Sequence, residues 1–131
     1  MEADRAFCES ARGISDAALR ARAAGGLRAP LREGFGDAVA VAPTLDDLDA
    51  VRTRLGVPID DLPPCLGGPI VDARPPEPPP DDLAAFVSFF IRNRYRVKSL
   101  RCRTCRHDGT CPGLQVNLAR HWGLRALRPE A

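Results

Sequence analysis

The 131 residues read as a small, loop-rich α+β chain with short helices and one or two short strands. Three observations predict this. Apolar residues recur at helical spacing, but only in short segments bounded by caps and breakers. One apolar pentapeptide, Ala38–Ala42, has the length and composition of a strand. Thirteen Pro and eleven Gly interrupt the backbone, and five Phe, one Tyr and one Trp leave a thin aromatic core. The length fits one small domain, alone or with a tail, and excludes a full (β/α)₈ barrel of about 250 residues.

Ser15 precedes Asp16–Ala24 as the N-cap of a short helix that stops at Gly25-Gly26. Residues 27–37 read as loop. Ala38-Val39-Ala40-Val41-Ala42 follows as the strand, closed by Pro43. Thr44 caps a second helix, with Asp47 at the third position as in a capping box. Leu45, Leu48, Val51 and Leu55 share one face of it, and Gly56 ends it.

From Val57 onward prolines forbid continuous regular structure, and residues 74–80 (RPPEPPP) predict an extended polyproline spacer. Asp81 or Asp82 opens the next element. Leu83, Phe86, Val87 and Phe90 fall at helical spacing and predict a core-facing helix, although VSFFI also suits a strand. Leu114, Leu118 and Trp122 mark one face of a last helix, ended by Gly123. The chain thus divides into a small α/β segment (1–64), a Pro/Gly-rich connector carrying Cys65 (65–80) and a Cys-rich segment (81–131).

The formal net charge is only +2, but residues 1–89 hold nine basic and fifteen acidic side chains, and residues 90–131 ten basic and two acidic. Such asymmetry asks for an anionic partner, a nucleic acid, or an anionic cofactor among the arginines. No apolar run approaches the ~18 residues of a membrane span. The N-terminus MEADRAFCES lacks the basic n-region and apolar core of a secretory signal, so the expected compartment is the cytoplasm. There, clustered cysteines bind metal more often than they pair, and the odd count of five agrees.

Chemistry concentrates in RCRTCRHDGTCPG, residues 101–113. Cys102 and Cys105 form a C-x₂-C pair, and Cys111 follows after five residues. A C-x₂-C turn directs two thiolates at one centre. Asp108-Gly109 supplies the turn that returns the third sulfur, and Pro112-Gly113 ends the loop. Three ligands leave a tetrahedral zinc or a four-iron cluster one short. Cys65, His107, His121 and Cys8 are the candidates for the fourth place. Cys65, in the turn Pro64-Cys65-Leu66-Gly67-Gly68, suits it best, and Cys8 reads as a bystander. The C-terminal half is therefore expected to be organised by a metal.

The string Leu62-Pro63-Pro64-Cys65-Leu66, a gap, Cys102-x₂-Cys105-x₅-Cys111-Pro112-Gly113 and Trp122-Gly123 with Leu127-Arg128-Pro129 resembles the C-terminal extension of radical SAM proteins. There, extensions of the SPASM or shorter twitch type hold auxiliary iron–sulfur clusters. The full SPASM pattern has a further cysteine where this chain has Gln115, so the single-cluster form is the closer match. The resemblance implies that Cys65, Cys102, Cys105 and Cys111 ligate one [4Fe–4S] cluster. It also implies electron transfer or substrate anchoring with a partner protein, either a radical SAM-type enzyme or its peptide substrate. The C-x₃-C-x₂-C triplet of radical SAM catalysis is absent from the sequence, so this chain is not expected to be such an enzyme on its own. A cluster with four thiolates carries a charge of about −2 or −1, to which Arg101, Arg103 and Arg106 offer nearby cations.

Two other functions fit parts of the pattern. Zinc in place of the cluster would give a metal-stabilised binding module, its basic face turned to nucleic acid or protein. Arginines alone could hold nucleic acid, but Tyr95 and Trp122 provide few stacking platforms.

Overall fold

Four short helices make up the first half of the computed structural model, which describes residues 1–70, 78–79 and 81–130. Each begins where a side chain or glycine can free the first turn. Asp4 accepts from the Phe7 N–H at 2.8 Å and starts α1 (Arg5–Ala11). Ser15 does the same for Ala18 at the head of α2 (Asp16–Arg22), and Thr44 for Asp47 at the head of α4 (Leu45–Leu55), which ends on left-handed Gly56. The two expected helices are therefore present.

The expected strand is not. Residues 38–41 lie in a helix, α3 (Phe35–Val41), which ends just before Pro43 as the sequence required. A five-residue apolar run does not distinguish strand from buried helix, and here the alanines, with their high helical preference, sit on a turn opened by Gly34. Ala38 is fully buried, and α3 packs on the last helix, α6 (Val116–Trp122). Helix α1 has no counterpart in the sequence expectation; its buried face is only Phe7, Cys8 and Ala11.

The strands lie elsewhere. β1 (Arg96–Val97) and β2 (Leu114–Gln115) pair antiparallel, with Arg96 opposite Gln115 and Val97 opposite Leu114. Two single parallel bridges, Glu2 to Arg28 and Arg28 to Asp60, tie the N-terminus and two loops together. Helix α5 (Leu83–Phe89), capped by Asp82, runs directly into a π-helical turn, Phe90–Arg94, and the strand alternative for VSFFI falls. Its face is a second correction. Leu83, Val87 and Phe90, expected in the core, are 71%, 43% and 43% exposed, and Phe89 is the buried side chain. Periodicity finds an apolar face; it does not decide which face the core receives. Of the polyproline spacer at 74–80, only Pro78 and Pro79 fall within the described residues.

One apolar cluster joins the two halves. Phe7, Leu19, Leu48, Val51, Ile59, Leu62 and Leu66 from the first half pack with Leu114, Leu118 and Leu127 from the second. Polar clamps fix the seam. The Trp122 indole N–H donates to the Pro43 carbonyl at 2.9 Å, and the Asn117 amide donates to the carbonyls of Arg32 and Glu33 at 2.9 Å each. Among the described residues no helix is long and apolar enough to cross a membrane.

Candidate metal centre

The first wall of the site is the Pro63–Gly68 turn. Pro63 is extended, and Pro64, with its preset φ, opens a single 3₁₀ turn through Leu66. The N–H groups of Leu66 and Gly68 both return to the Pro63 carbonyl at 3.0 Å. A β-carbon on Gly68 would lie 1.7 Å from the Leu62 carbonyl oxygen, and one on Gly67, at φ +94°, 2.1 Å from Arg52 Cδ. Only glycine permits so close a fold. Leu62 and Leu66 are buried by it, which leaves Cys65 half-buried at the apex.

The second wall is the loop between β1 and β2. Ser99 caps a 3₁₀ turn, Leu100–Thr104, and the Cys105 N–H closes on the Cys102 carbonyl at 3.0 Å. The chain then turns back through Asp108-Gly109, with the Cys111 N–H on the His107 carbonyl at 2.7 Å. Lys98 clamps that turn, its ammonium donating to the Asp108 carbonyl at 2.6 Å and the carboxylate at 3.1 Å. Gly113, at φ +83°, lets the returning strand pass β1, because a β-carbon there would meet the Val97 oxygen at 2.5 Å.

Buried Arg96 holds the two walls together. Its side chain is 3% exposed, donates to the Asp61 carbonyl at 2.9 Å and lies 3.7 Å from the Asp61 carboxylate. Asp61 itself sits at φ +70°. The strand that opens the cysteine loop is thereby tied to the segment that leads into Cys65.

As a result Cys65, Cys102, Cys105 and Cys111 line one cavity of about 20 Å³, 37 residues or more separating Cys65 from the others along the chain. All four are free thiols, half-buried. Backbone N–H groups point at the sulfurs, from His107 and Glu130 to Cys105 and from Gly113 to Cys111, each at 3.4 Å, and from Arg128 to Cys65. Two of these reach the cysteine two residues back, which is how a tight turn stabilises a thiolate. Burial pushes the Cys65 and Cys111 thiols above their ordinary range, against the pull of those N–H groups and, at Cys111, of Lys98. Soft donors with their own N–H partners, lining an apolar space, are the donor type that thiophilic metals take. Among the described residues no three His, Cys, Asp or Glu side chains are set, as they stand, around a single-ion position.

The third wall was not legible in the sequence. Residues 127–130 cross the cavity as a strap, contributing Leu127 and Pro129 to its lining and the Arg128 and Glu130 N–H groups to its sulfurs. Arg101 donates to the Leu124 and Leu127 carbonyls at 3.3 and 3.0 Å; Arg106 pairs with Glu130 at 2.8 Å and its N–H bonds the Glu130 carbonyl at 2.6 Å. Arg128 pairs with Asp49 at 3.2 Å. Two of the arginines flanking the cysteines thus secure the strap, and Arg103 points to solvent. Arg106 and then His107 hold the Glu130 carboxyl below its usual range.

His107 lines the cavity too, but its Nε2 is 3.0 Å from Glu130 Oε2. His121 is exposed on α6 outside the lining. Cys8 is buried in α1, and its thiol is pushed up to about 11, chiefly by desolvation. Gln115 is fully buried; its oxygen caps α6 through the Asn117 and Leu118 N–H groups, and its amide donates to the Ile91 carbonyl at 2.9 Å. The four cysteines expected as ligands all line this one cavity. No family model, curated protein or solved structure matches the chain.

Proposed function

We propose that this chain is a cluster-binding domain in which Cys65, Cys102, Cys105 and Cys111 hold one [4Fe–4S] cluster and serve electron transfer or substrate anchoring with a partner enzyme. The observation that carries the reading is the meeting of four free cysteines, from two distant segments, around one cavity with N–H donors at their sulfurs. The likeness of their spacing to radical SAM auxiliary-cluster regions selects iron–sulfur over other thiophilic centres. Such a cluster supplies one-electron transfer at a potential set by its ligands, hydrogen bonds and exposure.

The chain's own groups would set those terms. The N–H donors of His107, Gly113, Arg128 and Glu130 stabilise negative charge on sulfur and raise the potential. Lys98 adds a cation beside Cys111. The strap and the Pro63-Pro64 turn, which both line the cavity, would limit water at the sulfurs.

One observation favours a second reading, zinc held by the same four thiolates. The cavity of about 20 Å³ has room for roughly one water-sized occupant. Anaerobic purification with iron, sulfide and zinc quantified decides between them. About four irons and four sulfides per chain with a brown colour support the cluster. One zinc in a colourless protein replaces it with the binding module, and neither metal after reconstitution rejects both.

A further inference from the structure

A second pocket shares no residue with the cysteine cavity. Backbone pairing builds it. The Ala3 N–H donates to the Arg28 carbonyl at 2.8 Å and the Arg28 N–H to the Met1 carbonyl at 3.0 Å, which sets Glu2 beside Arg28. The Ala29 N–H, on the Asp60 carbonyl at 2.9 Å, brings Asp61 to the same place. Arg32 follows in the same segment, and Arg92 arrives from the π-helical turn that continues α5. These three arginines and two acids surround an open space of about 320 Å³. Both acids already face an arginine. Arg32 donates to the two Glu2 oxygens at 2.7 and 2.8 Å, and the Arg96 guanidinium, outside the lining, lies 3.7 Å from the Asp61 carboxylate. Arg28 and Arg92 face none. Among the described residues the Arg28 side chain makes no hydrogen bond or ion pair, and Arg92 donates only its Nε, to the Ser88 carbonyl at 3.4 Å. Two nearby acids stay outside the lining. Glu33 accepts from the Ser88 hydroxyl at 2.9 Å, and Asp60 makes no ion pair among the described residues.

We propose that this pocket binds a phosphate dianion, free or as the head of a small phosphate monoester, between Arg28 and Arg92. Four arginines (28, 32, 92 and 96) stand against two acids (Glu2 and Asp61), so the two charges of the dianion match the two left over. Guanidinium forks suit phosphate oxygens, which accept paired N–H bonds. A volume of about 320 Å³ is at the low end for small-molecule sites and admits little beyond a small monoester. A nucleic-acid strand fits less well. Glu2 and Asp61 would stand against its further phosphates, and among the described residues no aromatic side chain lines the pocket to stack a base. The inference is independent of what the cysteines hold.

The test is isothermal titration calorimetry of the full chain, purified anaerobically, at low salt and about pH 8, where phosphate carries nearly two charges. The probes are inorganic phosphate, glycerol 3-phosphate, succinate and a single-stranded oligonucleotide. Inorganic phosphate is expected to bind at least about fivefold more tightly than succinate and to weaken as salt rises. Tighter binding of glycerol 3-phosphate assigns the pocket to a monoester, and equal or weaker binding assigns it to the free anion. Arg28→Ala and Arg92→Ala should each weaken binding about tenfold. Arg125→Ala, which removes an exposed charge outside the pocket, should leave it unchanged. All three arginines are exposed, so the circular dichroism spectrum should stay at the wild-type form in each variant. No binding of either phosphate would overturn the inference, as would unchanged affinity in Arg28→Ala and Arg92→Ala or an equal loss in Arg125→Ala. Succinate bound as tightly as phosphate, or the oligonucleotide bound more tightly than both phosphates, would overturn it too.

Discussion

At the scale of single residues, the proposed centre distinguishes the four cysteines that line the cavity from Cys8, which is buried in α1. Serine at Cys65, Cys102, Cys105 or Cys111 should each lower bound metal severalfold, whereas Cys8→Ser should leave it at the wild-type level. Cys8 should also alkylate far more slowly than a surface thiol at pH 8, because so little of it is thiolate with its pKa near 11. Glu130 is a less obvious case. Its N–H faces Cys105 and its carboxylate is gripped by Arg106 and His107, so Glu130→Arg should lift the strap. Its expected signature is about tenfold weaker metal retention against a chelator, with the fold unchanged by circular dichroism.

At the scale of elements, the cysteine spacing and its turn residues were legible in the sequence because the chemistry is local. Asp108-Gly109 turns, Gly113 crosses a strand, and Pro64 opens a turn for reasons each tripeptide contains. The strap was not legible, since what holds Arg128 and Glu130 over the sulfurs is Arg101, Arg106 and Asp49, contacts that only the folded chain brings together. Helix α3 forms where a strand is expected because five alternating alanines and valines lack the length to declare a period. Arg96, one of several alternating arginines, gave no sign in the sequence that its side chain is buried against Asp61. Arg96→Met should cost roughly 1–3 kcal/mol by removing the N–H donor that the Asp61 carbonyl meets, read as a lower denaturation midpoint. Gly68→Ala should cost roughly 1–3 kcal/mol and reduce metal content as well, since the Leu62 carbonyl must move and carry the Cys65 turn with it.

At the scale of the molecule, one small core spans both halves, so metal binding and folding should be linked. Removing the metal is expected to lower the unfolding temperature of the whole chain in a single transition, because Leu62 and Leu66 flank Cys65 in that core. Acid should weaken the fold by a separate route. Arg32 donates to both oxygens of Glu2, at 2.7 and 2.8 Å, and holds that carboxyl below its ordinary 4.5. A carboxyl depressed in the folded state stabilises above its unfolded pKa, and the contribution is lost as pH falls through the folded value. The denaturation midpoint should therefore drop as pH falls below about 4.5, and drop less in Glu2→Gln.

The acidic first half and basic second half, which together nearly cancel, have separate duties in this account. The first supplies the frame and the carboxylates that anchor the second, Asp61 on Arg96 and Asp49 on Arg128. The second carries the three clustered cysteines, Cys102, Cys105 and Cys111. X-ray absorption of the anaerobically purified protein tests the central claim most directly, because it counts the atoms around the metal. The account predicts an iron edge with about four sulfur neighbours and a nearby iron shell, both diminished in Cys65→Ser. A zinc edge with four sulfurs would keep the four-cysteine centre and remove the cluster. A shell of nitrogen and oxygen, or one unchanged by Cys65→Ser, would contradict the account.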